Sequence, residues 1–215
     1  MKDLAIYGAG GFGREVACLV NLINEKENTW NLLGFFDDNP LLKGREISHY
    51  GPCFGGIDVI NSYDSDIAIV VAIGSPSGIR KIVSEIENPR VSFPNIIHPG
   101  ILLSDSDTFI IGKGNIIQGG CVFSCDVEIR DFNVFNDSTV IGHDSKIGSY
   151  NVFMPAVRVS GEVTIGNENL FGVRSTIIQC LTIGDNTKLA AGSVLMTNPK
   201  DKNLYLGIPA RKVVF

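Results

Sequence analysis

Histidine is scarce in this chain: three among 215 residues, beside one tryptophan and three methionines. Any imidazole chemistry must therefore come from His49, His98 or His143. The five cysteines (Cys18, Cys53, Cys121, Cys125 and Cys180) are scattered and form no C-x-x-C pair. Such spacing predicts neither a zinc site nor a disulfide framework, and the thiols read as reduced. Long apolar runs are missing too, since the longest, residues 67–73, is far too short to cross a bilayer. The opening "MKDLAIYGAGG" reaches glycines before the apolar core of a signal peptide could form. No basic cluster with interleaved aromatics exists, and a net charge of −5 speaks against nucleic acid or anionic membranes as partners. A cytoplasmic protein without a metal is expected. Charged residues are only 19% of the chain against 44% apolar ones, enough for a core and for buried subunit contacts.

What the chain has in abundance is rhythm. From Ile111 to Leu195 every sixth residue is Ile, Val, Leu or Phe, fifteen positions without a slip. Four places after each anchor the residue is usually small, as at Asn115, Cys121, Asn133, Thr139, Ser145, Asn151, Ser175, Thr187 and Ser193. Glycine often follows the anchor directly, at Gly112, Gly142, Gly148, Gly166, Gly172 and Gly184. A period of six fits neither an amphipathic helix nor a hairpin stack, but it fits a parallel β-helix of short strands joined by corners. Anchors then point inward, small residues pack beside them, and glycine or asparagine suits the corners for its backbone freedom. Three hexapeptides close a coil, so fifteen anchors predict five coils rising about 24 Å at the spacing of paired strands.

The N-terminal third reads differently. "LAIYGAGGFGREVACLV" predicts a strand, a glycine-rich turn and a helix, with Gly8, Gly10 and Gly13 in G-x-G-x-x-G spacing. Such a turn brings backbone N–H groups and a helix N-terminus to a phosphate. A second apolar stretch, residues 32–36, ends in Asp37-Asp38, a suitable distance on for carboxylates near a ribose or base. "SDIAIVVAIGSPSGIRKIVSEIE" is again strand, turn at Gly74, and helix. Only about 90 residues precede the repeat, enough for one mononucleotide half rather than the two that NAD requires. The organisation expected is an α/β Rossmann-like domain over residues 1–90, a junction over 91–108, and an all-β parallel β-helix over 109–215.

His143 falls two places after the anchor Ile141, near a corner where a side chain can point outward, and Asp144 follows it. A carboxylate there could fix the imidazole tautomer and stabilise its protonated form. His98 reads as a domain-junction residue and His49 as a surface one. Neither Cys125 nor Cys180 has the adjacent base that a nucleophilic thiol needs.

The repeat resembles that of the hexapeptide acyltransferases, whose β-helix is left-handed, and "LGIPARKVV" resembles their G-x-P-A-[KR] ending. Along the whole chain, "YGAGGFGREV", "GFFDDN", "VAIGSPSGIR", "FPNIIHP" and "NDSTVIGHD" resemble, in order, one family of sugar acetyltransferases. This family joins sialic acid O-acetyltransferases and nucleotide-amino-sugar N-acetyltransferases. The resemblance implies a left-handed β-helix and transfer of an acetyl group from acetyl-CoA to a sugar, with a nucleotide-linked amino sugar as the first expectation. It implies Gly8, Gly10, Gly11 and Gly13 near the phosphates and Asp37 and Asp38 near the nucleoside. Gly74 joins these substrate residues, and Asn136 falls near the acceptor sugar. His143 matches the family's general base, with Asp144 as its partner, and Gly161, Val173, Ala191 and Gly192 match coenzyme A positions. Val152 stands where many members carry a further histidine, with Asn151 available to replace its polar contact. A homotrimer with sites between subunits is implied. Three alternatives stay open: a sialic acid hydroxyl as acceptor, a non-catalytic nucleotide-binding scaffold, and an NAD-dependent reductase.

Overall fold

The structure, a computed structural model, describes residues 1–200 and 202–213. The chain divides into two compact units, Met1–Pro99 and Gly100–Phe215.

The first unit holds a parallel sheet of β1 (Lys2–Tyr7), β2 (Trp30–Phe36), β3 (Ile67–Val71) and β4 (Val91–Ser92), in the order β2-β1-β3-β4. The apolar stretches of β1 and β3 are central because both faces are covered: Leu4, Ala5, Ile6 and Ile69 are wholly buried. Helix α1 (Gly11–Lys26) turns Val16, Ala17, Leu19 and Val20 inward, at the spacing of one helix face. The short α2 (Ile57–Asn61) and then α3 (Pro76–Glu85) follow, the latter capped by the Ser75 hydroxyl, which accepts from the Gly78 N–H at 3.3 Å. In the turn from β1 into α1, two of the glycines are obligatory. Gly8 sits at φ +106°, where a Cβ would also meet the Ala72 carbonyl oxygen at 2.6 Å, and a side chain on Gly13 would strike the Gly8 carbonyl.

The second unit is a left-handed parallel β-helix. Two-residue strands from Ile110–Ile111 to Val194–Leu195 fall on the fifteen expected anchors, each paired in parallel with the strand eighteen residues away. The rung of Leu102–Leu103 was not legible in the rhythm. Leu102–Leu103 pairs with Val122–Phe123 and starts its sheet one coil earlier, because two extra residues separate Leu103 from Ile111 and break the step of six. A hairpin of residues Leu204–Gly207 and Ala210–Lys212 closes the far end.

Fourteen of the fifteen anchors are buried; Ile111, near the first turn, is half-buried. Phe135, Phe153 and Phe171 stack one coil apart, with ring centroids 4.7 and 4.9 Å from one another, the spacing of the strands themselves. Beside them runs an asparagine ladder. The side-chain oxygens of Asn115, Asn133, Asn151 and Asn169 accept the backbone N–H groups of Asn133, Asn151, Asn169 and Thr187 at 2.7 to 2.9 Å. Buried amides are thereby satisfied along the axis.

The corners depart from expectation. Every sixth residue from position 114 to position 192 has positive φ, yet eleven of these fourteen are not glycine, among them Phe132, Asp144, Tyr150 and Glu162. The glycines that follow anchors serve a different need. At Gly142 a Cβ would lie 2.5 Å from the Ser160 carbonyl carbon and 2.6 Å from the Gly161 nitrogen, so coil-to-coil approach, not backbone freedom, demands glycine there.

Candidate functional sites

The eighteen-residue repeat sorts corner residues into three columns, one along each edge of the prism. In the column of Lys113, Asp131, Ser149, Asn167 and Asp185, each coil closes the one before it. The Lys113, Asp131, Ser149 and Asn167 N–H groups donate to the side chains of Asp131, Ser149, Asn167 and Asp185 at 2.6 to 3.2 Å. The column of Cys125, His143 and Gly161 lacks this closure. Among the described residues, the N–H groups of these three make no hydrogen bond. This edge thus keeps backbone donors unspent around its histidine, as does the third edge, where the Asp137, Val173 and Ala191 N–H groups make no hydrogen bond among the described residues either.

His143 Nδ1 lies 2.7 Å from Asp144 Oδ2, with both side chains about half exposed (52% and 57%). An ionised carboxylate only accepts, so Nδ1 is the donor in this contact, which in the neutral ring leaves the lone pair on Nε2. Asp144 sits at φ 55°, a conformation that aspartate tolerates better than most residues. Its backbone N–H donates to the Cys125 carbonyl at 3.2 Å, so the residue is tied at both ends. One coil on, Gly161 makes room for the imidazole: a Cβ there would lie 2.6 Å from His143 Cε1 and 2.8 Å from Cδ2.

The remaining candidates of this unit lie elsewhere. Val173 is 39% exposed, and its carbonyl accepts the Gly192 N–H at 2.8 Å. Ala191, one coil above Val173, is exposed, and a Cβ on Gly172 would lie 2.5 Å from its nitrogen. Val173 and Ala191 therefore line a different edge from His143, with Gly192 beside them. Asn136 stands at this second edge, two coils below Gly172, and its amide donates to the Phe153 carbonyl at 2.9 Å. Val152 is fully buried in its strand. The expectation that Asn151 might replace a missing polar contact fails: it is wholly buried, its amide donating to Asn133 Oδ1 and the Gly166 carbonyl. His49 is exposed, its ring 4.0 Å from that of Tyr50, and His98 is half-buried.

In the first unit, Gly10 caps α1 without any side-chain hydrogen bond, and the first turn holds no acidic residue. Nothing would obstruct a side chain at Gly10, Gly11 or Gly74, so their backbone is open to a ligand. The two aspartates divide their work in a way the sequence did not show. Asp37 serves the scaffold, since Oδ2 accepts the Ala9 N–H and Oδ1 the Asn39 N–H, both at 2.9 Å. Asp38 Oδ1 accepts the Ile57 N–H at 3.1 Å, and its carboxylate also faces the Tyr7 hydroxyl. A cavity of about 230 Å³ opens beside both carboxylates, with Lys43 and Asp58 on its wall. Among the described residues, no group of three or more His, Cys, Asp or Glu could hold a metal, and no helix is long and apolar enough to cross a membrane.

Comparison with known proteins agrees with the resemblance carried by the motifs. Residues 3–86 match the PglD N-terminal domain family. Over 119 residues the chain is 27% identical to UDP-N-acetylbacillosamine N-acetyltransferase of Bacillus subtilis (strain 168), a match over 55% of this chain. The chain spans about half the length, 52%, of that curated relative. Among solved structures, the acetyltransferase domain of PglB from Neisseria gonorrhoeae FA1090, in complex with acetyl coenzyme A, is 26% identical with a TM-score of 0.86. That match covers 99% of both chains. PerB from Caulobacter crescentus, in complex with CoA and GDP-perosamine, is 24% identical with a TM-score of 0.86 over 100% of this chain and 98% of its own. The likeness to PerB is one of fold.

Proposed function

We propose that the protein transfers an acetyl group from acetyl-CoA to the amino group of a nucleotide-linked sugar, with His143 as general base. The observation that carries this reading is the 2.7 Å contact between His143 Nδ1 and Asp144, beside an edge of the β-helix whose N–H groups are unspent. The relatives that bind coenzyme A, or that are named as N-acetyltransferases, support the reaction class.

The chemistry needs no acyl-enzyme. The amine lone pair attacks the thioester carbonyl carbon while His143 Nε2 takes the amine proton. Asp144 holds the resulting imidazolium by charge without accepting its proton. The Gly161 N–H, next to the ring, suits the oxyanion of the tetrahedral intermediate. As the C–S bond breaks, the proton held by His143 passes to the departing thiolate, giving coenzyme A and the amide. Val173, Ala191 and Gly192 serve the pantetheine arm on a separate edge, which fits a groove completed by a neighbouring chain in a homotrimer. Asn136, at that same edge, would face the acceptor sugar. In the first unit, the open backbone of Gly10 and Gly11 and the uncapped α1 receive phosphates. Gly8 and Gly13 shape that turn, Asp37 anchors it, Asp38 faces the nucleoside, and Gly74 opens the turn after β3. The protein works in the cytoplasm, where acetyl-CoA is available.

His143→Ala tests the reading. Turnover of acetyl-CoA with a nucleotide-linked amino sugar should fall at least a thousandfold, while circular dichroism and the melting temperature stay unchanged. Retention of more than a tenth of the activity would remove His143 from the mechanism.

A further inference from the structure

The far end of the β-helix carries a surface that the acetyl-transfer reading leaves unused. Met196, Leu206 and Ile208 are 41%, 55% and 68% exposed, three large apolar side chains gathered within residues 196–208. The last coil and the closing hairpin add Lys188, Lys200, Lys202, Arg211 and Lys212, all exposed, and none of the five is paired with a carboxylate among the described residues. Residues 186–215 hold these five cations against one acidic residue, Asp201, which lies outside the described residues. The rest of the chain is therefore net −9, so the whole-chain charge of −5 conceals a basic pole on an acidic protein.

The hairpin holds both kinds of side chain together. Leu204–Gly207 runs antiparallel to Ala210–Lys212, with Leu206 opposite Arg211. Opposed residues of such a pair share a face. Tyr205, one place before Leu206, is buried, so alternation turns Leu206 and Arg211 outward. Ile208 and Pro209, both exposed, form the tip. Lys188 of the last coil pairs with Leu204, which fixes the hairpin to the prism. Clustered apolar surface facing water marks a contact site. A nucleic acid would engage the cations and leave Leu206 and Ile208 in water; an apolar protein groove would leave the cations unmatched. An anionic bilayer surface matches both, with phosphates for the cations and the acyl boundary for the tip.

We infer that the far end of the β-helix docks on a bilayer surface containing anionic phospholipid, with Leu206 and Ile208 at the acyl boundary and the five cations among the headgroup phosphates. Among the described residues no helix is long and apolar enough to cross a membrane, so the contact is with one surface. All three edges of the prism run along its axis, and docking by the end leaves them open. The inference goes beyond the acetyl-transfer reading and does not depend on it.

Flotation of the full chain with vesicles tests it, using phosphatidylcholine alone and phosphatidylcholine with about one-third phosphatidylglycerol. Partitioning onto the anionic vesicles should be at least about tenfold stronger, and salt raised from about 0.05 to 0.5 M should release the protein. Each cation near such a surface adds about fivefold, so Arg211→Glu with Lys212→Glu should weaken partitioning at least about twentyfold. Lys113→Glu with Lys146→Glu makes the same change of net charge on the first coils and should alter it by about threefold at most. Ile208→Ser should weaken it about fivefold without lowering the melting temperature, because the side chain is exposed. Equal partitioning onto both vesicles, equal loss in the two double variants, or full partitioning of Ile208→Ser overturns the inference. Dimerisation that Ile208→Ser abolishes, without vesicle binding, gives the patch to a second copy of the chain and overturns it. So does weakened coenzyme A binding in Arg211→Glu with vesicle partitioning untouched, which gives the cations to the coenzyme phosphates.

Discussion

Gly161→Ala isolates the claim that His143 works from a fixed position. The glycine is not needed for its backbone, since its φ lies outside the left-handed region, and alanine there adds one methyl group. That methyl would stand 2.6 Å from His143 Cε1 and 2.8 Å from Cδ2, where ordinary contact begins at 3.4 Å. Nε2 would stand closer still, so the ring must retreat by about 1 Å, and its 2.7 Å bond to Asp144 must lengthen or bend with it. Displacement of about 1 Å in a catalytic group costs on the order of 100-fold in rate, about 2.7 kcal/mol of barrier. We therefore expect kcat to fall about 30- to 100-fold, with melting temperature nearly unchanged because the ring moves toward solvent. The assay is chromatographic measurement of coenzyme A released in the presence of a nucleotide-linked amino sugar, with nucleotide affinity measured alongside. Affinity for the nucleotide, which the proposed function assigns to the other unit, should not move. A variant with kcat within threefold of the parent would refute the reasoning, since the imidazole would then act from a displaced position as well as from the native one.

Two further outcomes follow from the packing. Asn151→Ala removes two donated bonds and two accepted ones in the interior of the β-helix and strands the Gly166 carbonyl and Asn169 N–H. Urea unfolding should show a loss of about 3 to 5 kcal/mol, whereas a loss below about 1 kcal/mol would mean the ladder is not what holds adjacent coils. Thiol titration of the native protein at pH 8 should modify the exposed Cys18 and Cys180 quickly and spare Cys53 and Cys121. Burial raises both protected thiols, Cys121 to about 11, and only the thiolate reacts, so protection should weaken as pH rises. Rapid loss of all five thiols at pH 8 would contradict the burial.

The features legible in the sequence are those that repeat. A step of six in Ile, Val, Leu and Phe reveals a β-helix because each anchor must fill the same interior slot, and fourteen of the fifteen are buried. Eighteen-residue neighbours are equally constrained, so the small residues four places on turn out to be buried, several as a hydrogen-bonded ladder. What stayed hidden is set by side-chain geometry that residue type does not encode. Nothing in the letters of Phe132, Tyr150 or Glu162 announces positive φ, because the coil imposes that conformation on whatever residue arrives there. Nor could Asp37 be separated from Asp38, since their difference lies in which backbone N–H groups each one meets. Leu102 escaped notice because two inserted residues shifted its phase.

The same contrast explains where chemistry can arise in a repetitive fold. A β-helix offers the same corner many times, and most corners in the column of Lys113 and Asp185 consume their N–H groups on the next coil's side chain. Placing cysteine, histidine and glycine in succession along another column withdraws those acceptors. That exchange leaves three donors uncommitted and opens the space that His143 occupies over Gly161. The loss in self-bonding is small per corner, because an exposed N–H can turn to water. Under the proposed function, a reactive edge arises from the repeat itself, in consecutive coils that decline to satisfy their own N–H groups.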